Sequence, residues 1–123
     1  MKRVVTFLST SKADEAIAFF RDKLGFRFVV DDGFALVFDL GSATLRINKA
    51  QEHTPVIRTE LGWEVDAIES AVDDLKARGV VFSKFPGVEQ DARGIATFPN
   101  GSKVAWFTDP DGNILSLSQV PKA

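Results

Sequence analysis

The chain contains two copies of one strand–helix–strand pattern, and this internal repeat constrains its fold more than any other feature. In the first copy an apolar segment at 3–8 precedes polar residues, an amphipathic helix ended by Gly25, and three strand-like runs. The second copy repeats this order from Glu60, with a helix that ends at Gly79. Glycine ends helices readily because it accepts positive φ. The repeat predicts an α+β fold of two βαβββ modules.

The boundaries follow the apolar periodicity of each copy. We predict one domain at 1–123, with module 1 at 1–50, a linker at 51–58 and module 2 at 59–123. In module 1 the predicted strands are 3–8, 26–31, 34–40 and 43–49, and the buried helix face carries Ala13, Ile17, Phe20 and Leu24. In module 2 they are 60–65, 80–83, 103–108 and 114–119, and the helix face carries Ile68, Val72 and Leu75.

The second copy is longer than the first. The helix-ending glycines are 54 residues apart (25 to 79), whereas the matching last strands, at Leu45 and Leu115, are 70 apart. An insertion of 16 residues within 85–102 accounts for the difference. Such an insertion is either a lid or pocket wall, or a surface elaboration without a role.

Composition excludes several classes of function. A net charge of −2 gives no basic surface for nucleic acid or anionic membranes, and the absence of cysteine excludes disulfides and thiolate chemistry. No apolar run approaches the ~18 residues of a membrane span, and the N-terminus lacks the features of a signal peptide. We therefore expect a soluble cytoplasmic protein. The 11 phenylalanines favour an apolar pocket.

The segment 107–113, Phe-Thr-Asp-Pro-Asp-Gly-Asn, predicts a tight turn between two strands. Pro110 fixes φ, Gly112 or Asn113 accepts positive φ, and Asp109 and Asp111 can bind the main chain. The two aspartates are read as turn formers rather than as a catalytic pair.

This turn, together with 18–25 (Ala-Phe-Phe-Arg-Asp-Lys-Leu-Gly), resembles the motifs of the vicinal oxygen chelate superfamily, the glyoxalase/bleomycin-resistance/extradiol-dioxygenase group. The resemblance implies a curved mixed sheet around a cup, formed by the two modules. It also implies a homodimer. It does not fix an activity, because the superfamily contains isomerases, dioxygenases, thiol transferases and antibiotic binders.

Enzymes of that superfamily hold a divalent metal with His or Glu on the first and last strands of each module. The resemblance places these positions at Val5, Arg46, Glu60 and Ser116. Only Glu60 is a metal ligand, and Arg46 would put a positive charge beside the ion. The sequence therefore predicts no metal and no cofactor.

Strand alternation predicts the residues that face the cup. The expected substrate-binding residues are Phe7, Arg46, Asn48, Glu60, Glu64, Trp106 and Ser116. We hypothesise that Arg46 and Glu60 form an ion pair at the former metal position and contact a polar ligand. The alternatives are a purely structural pair, or an Arg46 side chain in solvent.

Two classes of function stay open. The first is a metal-independent binder of a small aromatic or amphipathic molecule in a cup lined by Phe and Trp, as in the drug-sequestering branch. The second is a metal-dependent enzyme, a glyoxalase-like lyase or isomerase or a dioxygenase, with ligands from a shifted register or a partner chain. A noncatalytic subunit that binds another protein is a third reading. No catalytic residue is assigned.

The remaining candidates have structural interpretations. His53, in the polar linker, is expected to be solvated. Glu64 and Asp66 share a strand face and could form an acid/base pair, but Asp66 is better placed as the N-cap of the second helix.

Overall fold

The computed structural model describes residues 1–121, which divide into two units. One unit contains Met1–Pro55 and the turn Asp109–Asn113, and the other contains Val56–Thr108 and the described residues from Ile114 onward. The division after Pro55 falls within the predicted linker. The turn, although late in the sequence, belongs to the first unit.

Module 1 has the predicted order of elements. They are β1 (Val4–Thr10), α1 (Ala13–Ile17), a π-helical segment (Ala18–Lys23), β2 (Arg27–Asp31), β3 (Ala35–Asp39) and β4 (Ala43–Lys49). The sheet order is β1-β4-β3-β2, in which β1 and β4 are parallel and the other neighbours are antiparallel.

Module 2 repeats this topology. Its elements are β5 (Thr59–Glu64), α2 (Ile68–Ala77), β6 (Phe82–Ser83), β7 (Ala96–Thr97), β8 (Lys103–Thr108) and β9 (Ile114–Gln119). The sheet order is β5-β9-β8-β6, with β7 added to β8. The α+β class and the duplicated βαβββ order are confirmed, and each module has its own mixed sheet.

The core of module 1 lies between its helix and one sheet face. Phe20 and Phe38 are fully buried, with ring centroids 5.6 Å apart. The prediction of the helix face was partly wrong, because Ala16 and Phe19 are buried whereas Ala13, Ile17 and Leu24 are half-buried. The π-helical segment is the cause: the Leu24 amide bonds Phe19 O, five residues back, at 3.0 Å. This wider turn lets the adjacent Phe19 and Phe20 both face the core.

The core of module 2 is built in the same way. Ile68 and Val72 of α2 are fully buried, as are Phe107 and Leu115 of the sheet. Trp63 stacks on Phe107 with ring centroids 6.5 Å apart. Each sheet therefore has a helix-facing side and an opposite side, here called the open face.

The N-terminus of α2 is bonded by a distant residue, not by the predicted local cap. Neither Lys12 nor Ala67, the residues that precede α1 and α2, makes a side-chain cap bond. The amide of Ile68 instead donates to Gln119 Oε1 at 2.8 Å. The prediction that Asp66 caps α2 was therefore wrong.

Within residues 1–121, no helix has the length and apolarity needed to span a membrane.

Candidate functional site

Strand register places one row of three side chains across the middle of each open face. In module 1, Phe7 and Val37 flank Arg46. The equivalent row of module 2 has Ser116 in the centre, beside Gly62 and Trp106. Residues directly opposite on paired strands point to the same side of a sheet. The two rows therefore occupy equivalent positions on the open faces of the two modules.

Six of the seven predicted site residues lie on these open faces. Phe7 and Arg46 occupy the central row of module 1, and Asn48 lies in the next row, beside Ser9. In module 2, Trp106 and Ser116 share the central row, and Glu64 lies opposite Ser118 in the next.

Glu60 is the one predicted site residue that has no partner in the regular strand pairing. The pairing of β5 with β9 shifts between Thr59 and Leu61, so Glu60 is the extra residue of a bulge. A bulged residue leaves the regular alternation of a strand. Its side chain is exposed.

Arg46 has an ion-pair partner in its own module. Its Nη2 lies 2.7 Å from Oδ2 of Asp32, and both side chains are about one-third exposed. The other carboxylate oxygen of Asp32 accepts the amides of Phe34 and Ala35 at 2.9 and 2.8 Å. The bond from Arg46 and these two amides lower the pKa of Asp32 to about 2. Arg46 is thus paired within module 1, and its hypothesised pair with Glu60 stays a prediction.

Trp106 lies against the insertion. The rings of Phe85 and Trp106 meet edge to face, 5.5 Å apart. Gln90 fixes this loop, because its side chain accepts the Phe85 amide at 2.8 Å and donates to Ser83 O and Gly94 O at 3.0 and 2.7 Å. The insertion therefore contacts Trp106 through Phe85, and its role as a lid or pocket wall stays a prediction.

His53 is half-buried and bonded, so the prediction that it is solvated was wrong. Its Nε2 lies 2.7 Å from Oδ1 of Asn113. The side-chain nitrogen of Asn113, Nδ2, donates to Ser9 O at 3.0 Å and to Asp109 Oδ2 at 2.8 Å. The side-chain oxygen Oδ1 of Asn113 is therefore the acceptor that faces His53. His53 therefore donates through Nε2. Its partner is 60 residues away in sequence, and no local pattern signals such a contact.

The two aspartates of the turn have the predicted structural role. Asp109 Oδ1 accepts the amides of Asp111 and Asn113, both at 3.0 Å. Asp111 accepts the Ser11 amide at 2.8 Å and the hydroxyl of Thr10, next to α1. Burial raises the pKa of Asp109 despite its hydrogen bonds. For Asp111, burial acts in the same direction, but the bonds from Thr10 and Ser11 outweigh it and lower the pKa.

Comparison with known proteins identifies the fold family. Residues 2–117 match the family model described as Glyoxalase/Bleomycin resistance protein/Dioxygenase superfamily. The chain belongs to this superfamily. A search of curated proteins found no match.

Solved structures with the same fold include several members of the superfamily. A glyoxalase/bleomycin resistance protein/dioxygenase from Nocardioides matches with a TM-score of 0.75 and 17% identity, over 100% of this chain and 85% of that chain. A superfamily member from Sphaerobacter thermophilus gives 0.73 and 22%, over 97% of each chain. A lactoylglutathione lyase from Agrobacterium tumefaciens gives 0.68 and 22%, over 94% of this chain and 91% of that chain. At these identities the likeness concerns the fold.

The superfamily's usual metal does not fit the residues at its positions. Val5 has no donor atom, Arg46 is a cation paired with Asp32, and Ser116 replaces the carboxylate expected after the turn. Residues 1–121 contain no group of three or more His, Cys, Asp or Glu side chains arranged to hold a metal ion. A site for Zn²⁺ or a similar ion requires about three such protein ligands.

Proposed function

We propose that this superfamily member binds a small aromatic or amphipathic molecule, without a metal ion, on the open face around Trp106. The observation that carries the proposal is the central row of module 2. Gly62 and Ser116 place almost no side-chain volume beside the half-buried indole of Trp106. A flat ring placed against this indole would lie beside two residues with little side-chain volume.

The chemistry of the wall favours an aromatic ligand. Trp106 and Phe85 already meet edge to face, and a further ring next to the indole would add an aromatic contact worth about 0.5–1.5 kcal/mol beyond its area burial. Within residues 1–121, the indole N–H of Trp106 has no protein acceptor, so it is available to a polar atom of a ligand. Binding sites commonly combine an apolar wall with a few such groups.

Polar residues in the row next to the central row of module 2 would orient the bound ligand. The Glu64 carboxylate and the Ser118 hydroxyl lie opposite each other on the same open face as Ser116. They suit a ligand that carries a donor or a cationic group at one end. Glu60 at the bulge remains a proposed contact of module 2, and Phe7, Arg46 and Asn48 remain proposed ligand contacts of the open face of module 1 by itself.

The proposal is tested with N-phenyl-1-naphthylamine, an uncharged aromatic probe whose fluorescence rises in apolar sites. We expect saturable binding by the wild type and a loss of about tenfold or more in affinity in Trp106→Ala. Phe34→Ala is the matched control, because Phe34 is an aromatic residue with 81% exposure between β2 and β3, away from strand β8 in the sequence. Equal affinity in Trp106→Ala and Phe34→Ala would contradict the proposal.

We also propose that the protein is a homodimer, as the family resemblance implies. Val5 and Phe7 on the open face of module 1 are 43% and 55% exposed, and strand β1 lies at an edge of its sheet. Exposed apolar side chains and sheet edges favour association. Light scattering of the wild type should give twice the chain mass, and Phe7→Asp should lower it.

A further inference from the structure

The open face of module 1 contains a depression that begins at Val37, in the central row, and extends over the next row. It has a volume of about 310 Å³. The polar part of its lining is formed by Arg3, Arg27, Asp39 and Thr44, and the apolar part by Val29, Val37 and Phe38. Thr44 and Asp39 are paired across the sheet, one row along from Arg46 and Val37.

The charge in this depression is positive. Two arginines share a single carboxylate: Arg3 Nη2 lies 2.6 Å from one oxygen of Asp39, and Arg27 Nη2 lies 3.2 Å from the other. The Gly41 amide also donates to Asp39 at 2.8 Å. This amide and the Arg27 bond lower the pKa of Asp39, which is therefore ionised at neutral pH. One positive charge is left without a counter-charge among the lining residues.

Donor groups in the depression remain available. Arg27 uses only Nη2, for Asp39, so Nε and Nη1 have no protein acceptor within residues 1–121, and its side chain is 69% exposed. Arg3 uses Nε for Thr44 and Nη2 for Asp39 and Ala43 O. Its Nη1 is free in the same part of the chain. The planar fork of a guanidinium suits a carboxylate.

The apolar lining and the volume of the depression determine which uncharged part and which size of ligand would fit. Val29 and Val37 offer an apolar surface beside the two arginines, and Val29 is 45% exposed. A volume of about 310 Å³ is at the small end of ligand sites, which suits a molecule with a single ring or a short chain. Arg46, in the neighbouring row, is already neutralised by Asp32 and does not compete for an anion.

We propose that this depression binds a small organic carboxylate, with its anionic group on Arg27 and Arg3 and its apolar body on Val29 and Val37. The site lies wholly in module 1 and does not depend on ligand binding at Trp106. Asp39 has two roles: it holds the arginines in place and competes with the ligand for their donors.

The test compares 4-phenylbutyrate with its uncharged amide, 4-phenylbutanamide, by isothermal titration calorimetry on the full chain. The carboxylate should bind at least about tenfold more tightly than the amide. Arg27→Gln should abolish this preference. Arg21→Gln is the matched control, because Arg21 is an exposed arginine paired with Asp22 on the π-helical segment. It should bind like the wild type.

A second variant tests the role of Asp39. Asp39→Asn keeps an oxygen for the Gly41 amide but removes the competing charge, so it should bind 4-phenylbutyrate more tightly than the wild type. The proposal is overturned if the carboxylate and the amide bind equally or not at all, if Arg27→Gln matches Arg21→Gln, or if Asp39→Asn binds the carboxylate no better.

Discussion

The side-chain oxygen of Ser116 occupies the space that a β-carbon on Gly62 would need. The carbonyl oxygen of Ser116 would also lie only 3.2 Å from that carbon. At this point of the open face the two residues fit only because one lacks a side chain and the other has a short one. A larger side chain at position 116 would have to fit between Gly62 and Trp106, the neighbours of Ser116 in the row.

Gly62→Ala should destabilise the protein, because the new methyl group forces Ser116 to rotate and the strands to shift. We expect a loss of about 1–3 kcal/mol in the free energy of unfolding, measured by urea denaturation. The double variant Gly62→Ala/Ser116→Ala should recover part of this loss, since it removes the colliding oxygen. Additive losses in the double variant would show that the contact is unimportant.

The Arg46–Asp32 pair should be visible in the titration of Asp32. Its pKa in the folded protein, about 2, is below the ordinary value of 3.8. The pair therefore contributes stability that is fully present above the unfolded pKa and is lost as the pH falls toward the folded value. In Arg46→Met the pKa of Asp32, measured by NMR, should rise, while that of Asp73, which pairs with Arg93, should not change. An unchanged Asp32 pKa would contradict the ion pair.

Asp109→Asn should lower the stability of the protein, because it replaces one acceptor oxygen of Asp109 with an NH₂ group. Both oxygens of Asp109 accept bonds from donors at Asp111 and Asn113, and an amide would turn an NH₂ group toward one of those donors. A buried donor without a partner costs about 1–3 kcal/mol. Thermal and urea unfolding should show this loss in Asp109→Asn but not in Asp74→Asn, an exposed carboxylate on α2.

Gln119→Ala should destabilise α2 from a position outside the helix. The variant removes the acceptor of the Ile68 amide, and loss of an N-terminal cap costs about 0.5–2 kcal/mol. Amide hydrogen exchange should then be faster in the first turn of α2. Asp66→Ala, at the residue that sequence suggested as the cap, should leave that exchange unchanged.

Local patterns predicted most strands and their faces, but not β7 (Ala96–Thr97), and β6 covers only the second half of the predicted strand 80–83. Ala43–Lys49, Lys103–Thr108 and Ile114–Gln119 have the predicted boundaries. Alternation placed Trp106 and Ser116 on one face because the side-chain period of a strand is fixed by its backbone. The duplicated topology was predicted from the repeated order of strand and helix patterns in the two halves of the sequence.

Contacts between distant residues could not be predicted in this way. Gln119 is 51 residues from the helix it caps, and Asp111 is 100 from Ser11. Arg46 pairs with Asp32, 14 residues earlier in the sequence, and this pair depends on the conformation of the turn that contains Asp32. The bulge at Glu60 and the π-helical segment each break a regular period, so the residues around them were misplaced.

The central claim, ligand binding at Trp106 without a metal, is tested most directly by titrating N-phenyl-1-naphthylamine into protein before and after dialysis against EDTA, with elemental analysis of both samples. The account predicts no stoichiometric Zn, Ni, Mn or Fe and the same affinity in both samples. Stoichiometric metal in the purified protein, together with loss of probe binding when EDTA removes it, would contradict the account.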